Sequence, residues 1–460
     1  MLYGRAFLPE IQEMVASRDF KGLRDAMVEF APADAADLLS NMNPEERAVV
    51  FRVLPAALAA DIFEYLDVEH QEELLHGLGQ NQVAEMLNEM APDDRTALLE
   101  ELPGSVTRQL MDLLSPEERR VATQLLGYPE GSVGRLMTPD YIAIRDTWTV
   151  GDVIEHLRKA GRDSETMNVL YVLDERGKLL DDIRLREIIL APADRKIADV
   201  CDYSVTSLHA IDDQEEAVRA FERYDRVALP VVDGRGALVG MVTVDDILDV
   251  AQAEATEDIQ KLGGVQALED PYLDTPFFAL VKKRAIWLCV LFLGELLTTS
   301  AMGHFEAELQ RAIVLSLFIP LIISSGGNSG SQAATLVIRA MSIGEIHLSD
   351  WWRIMRRELM AGLALGSILG VIGLLRIVIA AQFSNVYGEH YLLVGFTVAT
   401  TLVGIVLWGT LSGSMLPFLL KRLGLDPAVS SAPFVATLVD VTGLVLYFSV
   451  AVVLLRGTLL

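Results

Sequence analysis

Five long stretches with few or no charged residues lie in the second half of this chain of 460 residues. A helix needs about 20 apolar residues to cross a bilayer, and a helix satisfies its own backbone polar groups there. The sequence therefore predicts a membrane domain over residues 280–460 with five transmembrane helices. They are placed within residues 285–303, 312–338, 359–388, 391–420 and 427–455.

The charge of the chain is distributed very unevenly between its two parts. The whole chain has a net charge of −26, and residues 1–275 carry −29 of it while residues 276–460 carry +3. Such an acidic surface excludes a nucleic-acid binder that works through a basic face, and no nucleic-acid partner is expected. The acidic part should instead attract cations.

The Lys and Arg residues between the predicted spans orient the membrane domain. Nine of them fall on one side if the acidic part is cytoplasmic, as the positive-inside rule requires. We therefore expect a multi-pass protein of the cell (inner) membrane with a cytoplasmic N-terminal part and the C-terminus outside. The nine are Lys282, Lys283, Arg284, Arg339, Arg353, Arg356, Arg357, Lys421 and Arg422. Five helices are an odd number for a transporter built on internal repeats, and a pathway on a dimer axis would resolve this.

A single carboxylate, Asp440, interrupts the last predicted span. Ionisable side chains are costly in a membrane and mark functional sites by default. The alternative is a residue that pairs helices. Glu295 and Arg376 lie in other spans, and a structural ion pair between them is the corresponding expectation.

The second span contains a polar, glycine-rich segment from Pro320 to Gln332. Proline and three glycines predict a loosened helix with freed carbonyl groups, and the side chains of Asn328 and Gln332 add neutral oxygens. Mg²⁺ is bound through such oxygens and through waters that it retains. The alternative is close helix packing through small residues such as Gly326 and Gly327.

Residues 1–130 predict a domain of helical repeats. The segment 43–55 resembles 91–103 at an offset of 48 residues, and residues 115–119 begin a third copy. Proline stands at the start of each copy with acids after it, an arrangement that favours helix N-termini. In such a layout each hairpin buries its apolar face on its neighbour.

Residues 131–250 predict a duplicated α/β unit. The β-branched runs 169–173 and 228–232 are each followed by Asp and a glycine turn, with helical segments around them. The pattern resembles a tandem cystathionine-β-synthase (CBS) pair. In such pairs a Ser/Thr and a following Asp hold a nucleotide ribose. Only the second unit keeps both, as Thr243 and Asp246, so the resemblance implies half of a site for ATP.

Residues 244–270 predict an acidic helix that connects the α/β unit to the first span. Most of its acids fall within two-thirds of the circumference at 100° per residue, and like charges four residues apart destabilise a bare helix. The commoner reading of such a charge run is a solvated face. A bound divalent cation would remove the repulsion. The acids are Asp245, Asp246, Asp249, Glu254, Glu257 and Asp258.

Together these segments resemble the MgtE family of magnesium channels and transporters over nearly the whole chain. The most specific matches are residues 320–332, 425–427, 436–443 and 253–259. The resemblance implies a multidomain membrane protein with a helical N domain, a CBS pair, a connecting "plug" helix and five spans. It implies a homodimer with a Mg²⁺ pore on its axis. The pore residues would be Asp440, Ala436, Thr437, Asn328, Gly326, Gly327 and Gln332.

The resemblance also implies regulation by cytosolic Mg²⁺, which would bridge acids of the plug, CBS and N domains and hold the pore shut. The matching residues are Asp93, Asp94, Asp225, Asp245, Asp246, Asp249, Glu254, Glu257, Asp258 and Asp426. Asn would be expected before Pro433 at the cytosolic gate, where this chain has Ala432.

The expected function is thus a Mg²⁺-selective channel or transporter for magnesium homeostasis that cytosolic Mg²⁺ closes. Hard oxygen ligands accept several divalent cations, so Mn²⁺ and Co²⁺ stay open as further ions. Two alternatives are a CBS-regulated transporter of another solute and a membrane Mg²⁺ sensor without a pore. We expect no enzyme, because the sequence has no P-loop and no His-Glu-x-x-His pair.

Overall fold

A computed structural model describes residues 3–161, 164–268, 272–273, 275–383 and 387–459. The chain divides into two compact units, residues 1–251 and residues 252–460. The first unit contains short helices and two small sheets, and the second contains long apolar helices.

The first unit begins with ten short helices, as the repeat pattern predicts. Proline is the first residue of four of them, at Pro32, Pro44, Pro92 and Pro116, where its missing N–H costs nothing. The helices are α1 (Tyr3–Ser17), α2 (Phe20–Met27), α3 (Pro32–Ser40), α4 (Pro44–Val53), α5 (Ala56–Glu64), α6 (Val68–Gly77), α7 (Gln80–Glu89), α8 (Pro92–Glu101), α9 (Gly104–Leu113) and α10 (Pro116–Leu125).

Two buried arginines perform the same task in successive repeats. Arg47 on α4 donates to the carbonyl oxygens of Leu39 and Met42, both at 3.0 Å. Arg95 on α8 donates to those of Leu87 and Met90, at 3.0 and 3.3 Å. Donors and acceptors are all offset by 48 residues, which confirms the repeat. Each arginine also pairs with a glutamate, Glu73 or Glu118.

The rest of the first unit is the duplicated α/β part. Each copy has a three-stranded sheet in which the first strand is parallel and the third antiparallel to the central one. The two central strands coincide with the predicted runs. The strands are β1 (Ala143–Arg145), β2 (Val169–Leu173), β3 (Leu179–Arg184), β4 (Leu208–His209), β5 (Ala228–Val232) and β6 (Leu238–Thr243). The helices are α11 (Val133–Leu136), α12 (Val150–Ala160), α13 (Leu185–Leu190) and α14 (Gln214–Tyr224).

The acidic connecting segment contains one helix, α15 (Val244–Leu262). This helix begins where it was predicted but ends eight residues before the predicted end, and residues 269–270 lie outside the described residues. The helix belongs to the first unit through Ala251 and to the second from Gln252.

Among the described residues, five helices are long and apolar enough to cross a membrane. They are α16 (Phe277–His304), α18 (Ile319–Ser342), α19 (Trp351–Ala381), α20 (Tyr391–Arg422) and α21 (Ala432–Leu455), with the short α17 (Glu306–Arg311) after the first. The third begins eight residues before its predicted start, because Arg353, Arg356 and Arg357 are accommodated in its first two turns. Residues 384–386 of the predicted third span lie outside the described residues.

The predicted loosening of the second span is wrong, because α18 is a continuous helix. Pro320 stands in its first turn, where no backbone donor is lost. Its glycines serve close packing instead. A Cβ atom on Gly409 of α20 would clash with the carbonyl oxygen of Gly326, and one on Gly413 would clash with that of Gly330. The packing alternative therefore explains Gly326.

Candidate functional site

Carboxylates from four segments of the first unit come together around the start of α8. Asp93 and Asp94 occupy its first turn, and Asp246 lies in the first turn of α15. Asp93 is only 7% exposed, and its Oδ1 has no hydrogen-bond partner among the described residues. We call this group, together with Glu64 and Glu165, the cytosolic acid cluster.

The members of the cytosolic acid cluster raise one another's pKa. Burial, with the charges of Asp94 and Asp61, raises the pKa of Glu64 to about 8. Burial and the charge of Asp246 raise the pKa of Asp94 to about 7 and that of Asp93 well above its usual range. Burial also raises the pKa of Asp246 to about 6. Negative charge in the cluster therefore raises the free energy of the folded state, and binding of protons or of a cation would lower it.

Two members of this cluster escaped sequence reasoning. Glu64 ends α5 and accepts a hydrogen bond from the backbone N–H of Ala91, the N-cap residue of α8, which has no side-chain cap of its own. Glu165, in the loop after α12, acts on Asp93 and Asp94 through its charge. Neither lies in a motif, and only the packing of the helical repeats on the α/β part brings them in.

The cluster is not a preformed metal cage. Over the described part of the chain, no group of three or more His, Cys, Asp or Glu side chains is placed to hold a metal ion directly. An ion that keeps its water shell does not need such a cage. Mg²⁺ usually retains several waters and uses only one or two carboxylates.

The other predicted regulatory acids are distributed along α15 and beyond. Asp245 and Asp249 are exposed, and their negative charges help to raise the pKa of Asp94. Glu254 is half-buried. Asp225 does not join the cluster. It ends α14 in a left-handed conformation (φ 48°) and lines a separate cavity.

A second acidic group lies within the second unit, where α15 ends. Lys261 bridges two carboxylates, Glu257 on its own helix and Asp426 at 2.7 Å in the loop after α20. Burial and the charge of Asp426 raise the pKa of Asp258 beside them. Here a lysine ammonium group already supplies the cation between the acids.

The residues predicted for a nucleotide are engaged with each other. The hydroxyl of Thr243 donates to the Asp246 carboxylate, which belongs to the cytosolic acid cluster. A cavity of 460 Å³ lies elsewhere in the α/β part, with Arg184, Arg186 and Arg226 in its wall together with Asp225.

In the membrane helices, Asp440 of α21 faces α16 and α18. Its carboxyl shares a side-chain hydrogen bond with that of Glu295 on α16. A Cβ atom on Gly327 of α18 would come 3.5 Å from Oδ1 of Asp440. The expected pairing of Glu295 with Arg376 is wrong, because Glu295 meets Asp440 and Arg376 is exposed.

The remaining predicted pore residues differ in their surroundings, since some pack between helices and others are exposed. Ala436 packs against Gly327, and Thr437 packs against Gly294 of α16. Asn328 and Gln332 are exposed on α18, where the amide of Asn328 donates to Ser324 at 3.3 Å. Each directly follows a residue that contacts α21, since Gly327 packs on Ala436 and Ser331 donates to the Ala432 carbonyl at 3.0 Å.

Family models match most of the chain. The MgtE intracellular N domain matches residues 30–131, CBS domains match 133–194 and 197–253, and the MgtE divalent cation transporter domain matches 319–450. The resemblance seen in the sequence is therefore confirmed.

Curated relatives match over nearly their whole length. The magnesium transporter MgtE of Thermus thermophilus is 40% identical over 97% of this chain and 98% of its own. That of Bacillus subtilis is 33% identical over 94% and 93%.

Solved structures match the cytosolic part. The cytosolic domain of the Mg²⁺ channel MgtE in complex with ATP is 37% identical over 53% of this chain and 99% of its own, with a TM-score of 0.51. The soluble part of a magnesium transporter is 29% identical over 55% and 99%, with a TM-score of 0.53. The chain thus belongs to the MgtE family of magnesium transporters.

Proposed function

We propose that this member of the family is a Mg²⁺-selective channel that cytosolic Mg²⁺ closes, and that it serves magnesium homeostasis. Mg²⁺ would pass at Asp440, and Mg²⁺ bound among the cytosolic acids would stabilise the closed state. The observation that carries the regulatory half is the cytosolic acid cluster. The fold brings these carboxylates close together, and the largest charges that act on Asp93 and Asp94 are those of other acids.

The closing mechanism follows from electrostatics. When Mg²⁺ is scarce, the acids of the helical domain, the α/β part and α15 repel one another. Bound Mg²⁺ neutralises them and lowers the free energy of the arrangement in which they are close. An effector shifts such an equilibrium only by its differential affinity for the two states, and several weak sites acting together make the response steep.

The homodimer is part of the same proposal. Ser324, Asn328 and Gln332 expose polar groups along one face of α18, which is costly against lipid. A second copy of the chain facing this surface would turn it into the wall of an aqueous pathway. The topology stays as proposed from the basic residues, with the C-terminus outside the inner membrane.

ATP is a proposed ligand of the CBS pair, supported by the relative whose cytosolic domain was solved with it. The arginines of the 460 Å³ cavity offer phosphate-binding groups, whereas Thr243 and Asp246 bond to each other. We therefore place the nucleotide in this cavity. Equilibrium binding of ATP to the purified protein, compared with Arg226→Ala, would decide the point.

The test of the whole proposal is Mg²⁺ flux into proteoliposomes that contain the purified protein. We expect flux that rises with the Mg²⁺ gradient and is suppressed when Mg²⁺ is raised on the cytosolic face. Asp440→Ala should reduce selective Mg²⁺ flux by about a hundredfold or more, because it removes a charged ligand from the proposed pore.

The same assay separates the two alternatives. Neither alternative would give Mg²⁺ flux above that of empty liposomes. A transporter of another solute would give flux of that solute, whereas a pore-less sensor would give no flux of any solute. Selective flux retained in Asp440→Ala would refute the role of this residue.

A further inference from the structure

Glu295 is an acidic residue within a membrane span that the proposed function leaves without a task. It lies near the middle of α16, a helix whose main packing partner among the long helices is α21. Its side chain is half-buried and bonds to the carboxyl of Asp440. The fold therefore directs this second acid at the carboxylate that we assign to the pore.

The close approach of the two helices is built into the sequence around Glu295. The preceding residue is Gly294, and a Cβ atom there would come within 2.7 Å of Cγ2 of Thr437, closer than atoms tolerate. One turn later, the Thr298 hydroxyl is buried and has no hydrogen-bond partner among the described residues. Glycine thus allows α16 to approach α21, and an unused polar group lies on the same stretch.

A purely structural role explains Glu295 poorly. An acidic residue in the middle of a span is costly to insert into a bilayer, and a helix contact that needs only a hydrogen bond is made equally well by Gln, Ser or Thr. A carboxyl group adds what these lack, a negative charge beside Asp440.

We propose that Glu295 is a specificity-determining residue of the pore, which positions Asp440 and adds a second charge to the cation site. The inference rests on the proposed function, since it assumes that Mg²⁺ passes Asp440. A divalent cation gains twice the Coulomb energy of a monovalent cation from each carboxylate. A second carboxylate therefore widens the preference for divalent ions over Na⁺ and K⁺.

The experiment compares Glu295→Gln, Glu295→Asp and Asp440→Asn in full-length protein in proteoliposomes. Glutamine keeps the shape and a hydrogen bond to Asp440 but removes the charge, whereas aspartate keeps the charge on a shorter side chain. Leu296→Ala, at a neighbouring exposed position on α16, is the matched control. The readouts are the half-saturating Mg²⁺ concentration, the maximal flux and the ratio of Mg²⁺ to K⁺ permeability.

For Glu295→Gln we expect the half-saturating Mg²⁺ concentration to rise and the Mg²⁺/K⁺ ratio to fall, each by about tenfold, the scale of one lost charge interaction. Glu295→Asp should retain most of the selectivity, and Leu296→Ala should match the native protein. If Glu295→Gln keeps the native concentration dependence and selectivity, the charge has no role and the inference is overturned.

Asp440→Asn distinguishes this failure from a failure of the proposed function. Loss of selective flux in Asp440→Asn with a native-like Glu295→Gln overturns only the role of Glu295. Selective flux retained in Asp440→Asn overturns the pore assignment itself. If both residues act on one ion, the combined variant should lose less than the product of the two single effects.

Discussion

The acids of the cytosolic unit and the acids of the membrane helices are held in different ways. In the cytosolic acid cluster, Asp93, Asp94 and Asp246 come from two helix N-termini, and exposed acids such as Asp245 surround them. In the membrane, Asp440 meets one further acid, Glu295, between helices packed through glycines.

The difference corresponds to two tasks for the same ion. A rigid site between packed helices fixes two carboxyl groups relative to one another, which suits selection of one ion from others. A cluster of many partly exposed acids binds each ion weakly, but its free energy depends strongly on the ion concentration. The first arrangement suits passage and the second suits sensing.

The largest effect that tests this comparison is the loss of closure by cytosolic Mg²⁺ without loss of Mg²⁺ flux. The variant Asp93→Asn/Asp94→Asn removes two charges from the cytosolic acid cluster, so Mg²⁺ gains less free energy in the closed state. We expect the Mg²⁺ concentration for half closure to rise about tenfold, equivalent to about 1.4 kcal/mol, while flux at low Mg²⁺ persists. Flux in proteoliposomes with Mg²⁺ varied on the cytosolic face measures both.

The chain offers a matched control for this variant in its own repeat. Glu45 and Glu46 occupy the positions equivalent to Asp93 and Asp94, but lie in the first turn of α4, away from the cluster. Glu45→Gln/Glu46→Gln should close like the native protein. Full closure of the Asp93→Asn/Asp94→Asn variant at the native Mg²⁺ concentration would contradict the sensing role.

A smaller effect is expected at Lys261, whose ammonium group takes the place that a bound Mg²⁺ would have between two acids. This lysine bridges Glu257 and Asp426, so Lys261→Met leaves two acids without a fixed cation. A partly exposed ion pair is worth about 1 kcal/mol or less. The Mg²⁺ flux measured without Mg²⁺ on the cytosolic face, divided by the flux at saturating cytosolic Mg²⁺, should therefore rise about threefold. Lys261→Arg should keep the native ratio. An unchanged ratio in Lys261→Met would mean that the bridge has no part in closing.

The sequence predicts most of the fold because its signals are local. The runs 169–173 and 228–232 and the long apolar stretches each depend on neighbouring residues only, and the repeat of 48 residues is visible by comparing segments of the sequence. The wrong prediction for α18 has a physical reason, since Pro320 stands in the first turn, where no backbone donor is lost, and the glycines lie in packed helix contacts. Gly326 and Gly330 meet Gly409 and Gly413 of α20 instead.

The candidate sites were less predictable because they depend on contacts distant in sequence. The charge pattern of the connecting helix indicates Asp246, and the family resemblance implies Asp93 and Asp94, but Glu64 and Glu165 enter only through packing. The sequence predicts Arg376 as the partner of Glu295, because it is the opposite charge that another span offers. No local signal could reveal that α16 packs on α21 and that this packing directs the side chain of Glu295 toward another acid, Asp440.

The smallest predicted effect is a pH dependence of the stability of the cytosolic unit. The folded pKa values of Glu64, Asp94 and Asp246, about 8, 7 and 6, lie above those of the unfolded chain. The folded state therefore binds more protons between about pH 4 and pH 8, and its stability falls as pH rises through this range. Without Mg²⁺, we expect the Tm of the cytosolic unit to be lower at pH 8 than at pH 5.5 by roughly 2–8 °C, from about 1–2 kcal/mol.

Mg²⁺ distinguishes this cause from a general effect of pH on the protein. The ion competes with protons for the same carboxylates, so saturating Mg²⁺ should raise the Tm most at pH 8 and flatten the pH dependence. Asp94→Asn should flatten it without Mg²⁺, whereas Glu45→Gln should leave it unchanged. Thermal unfolding of the full-length protein in detergent, followed at both pH values, measures each case. A Tm that rises with pH in the absence of Mg²⁺ would mean that the fold does not hold the acids of the cluster together against their repulsion. The proposed difference between the cytosolic acid cluster and the pair Asp440/Glu295 would then have no physical basis.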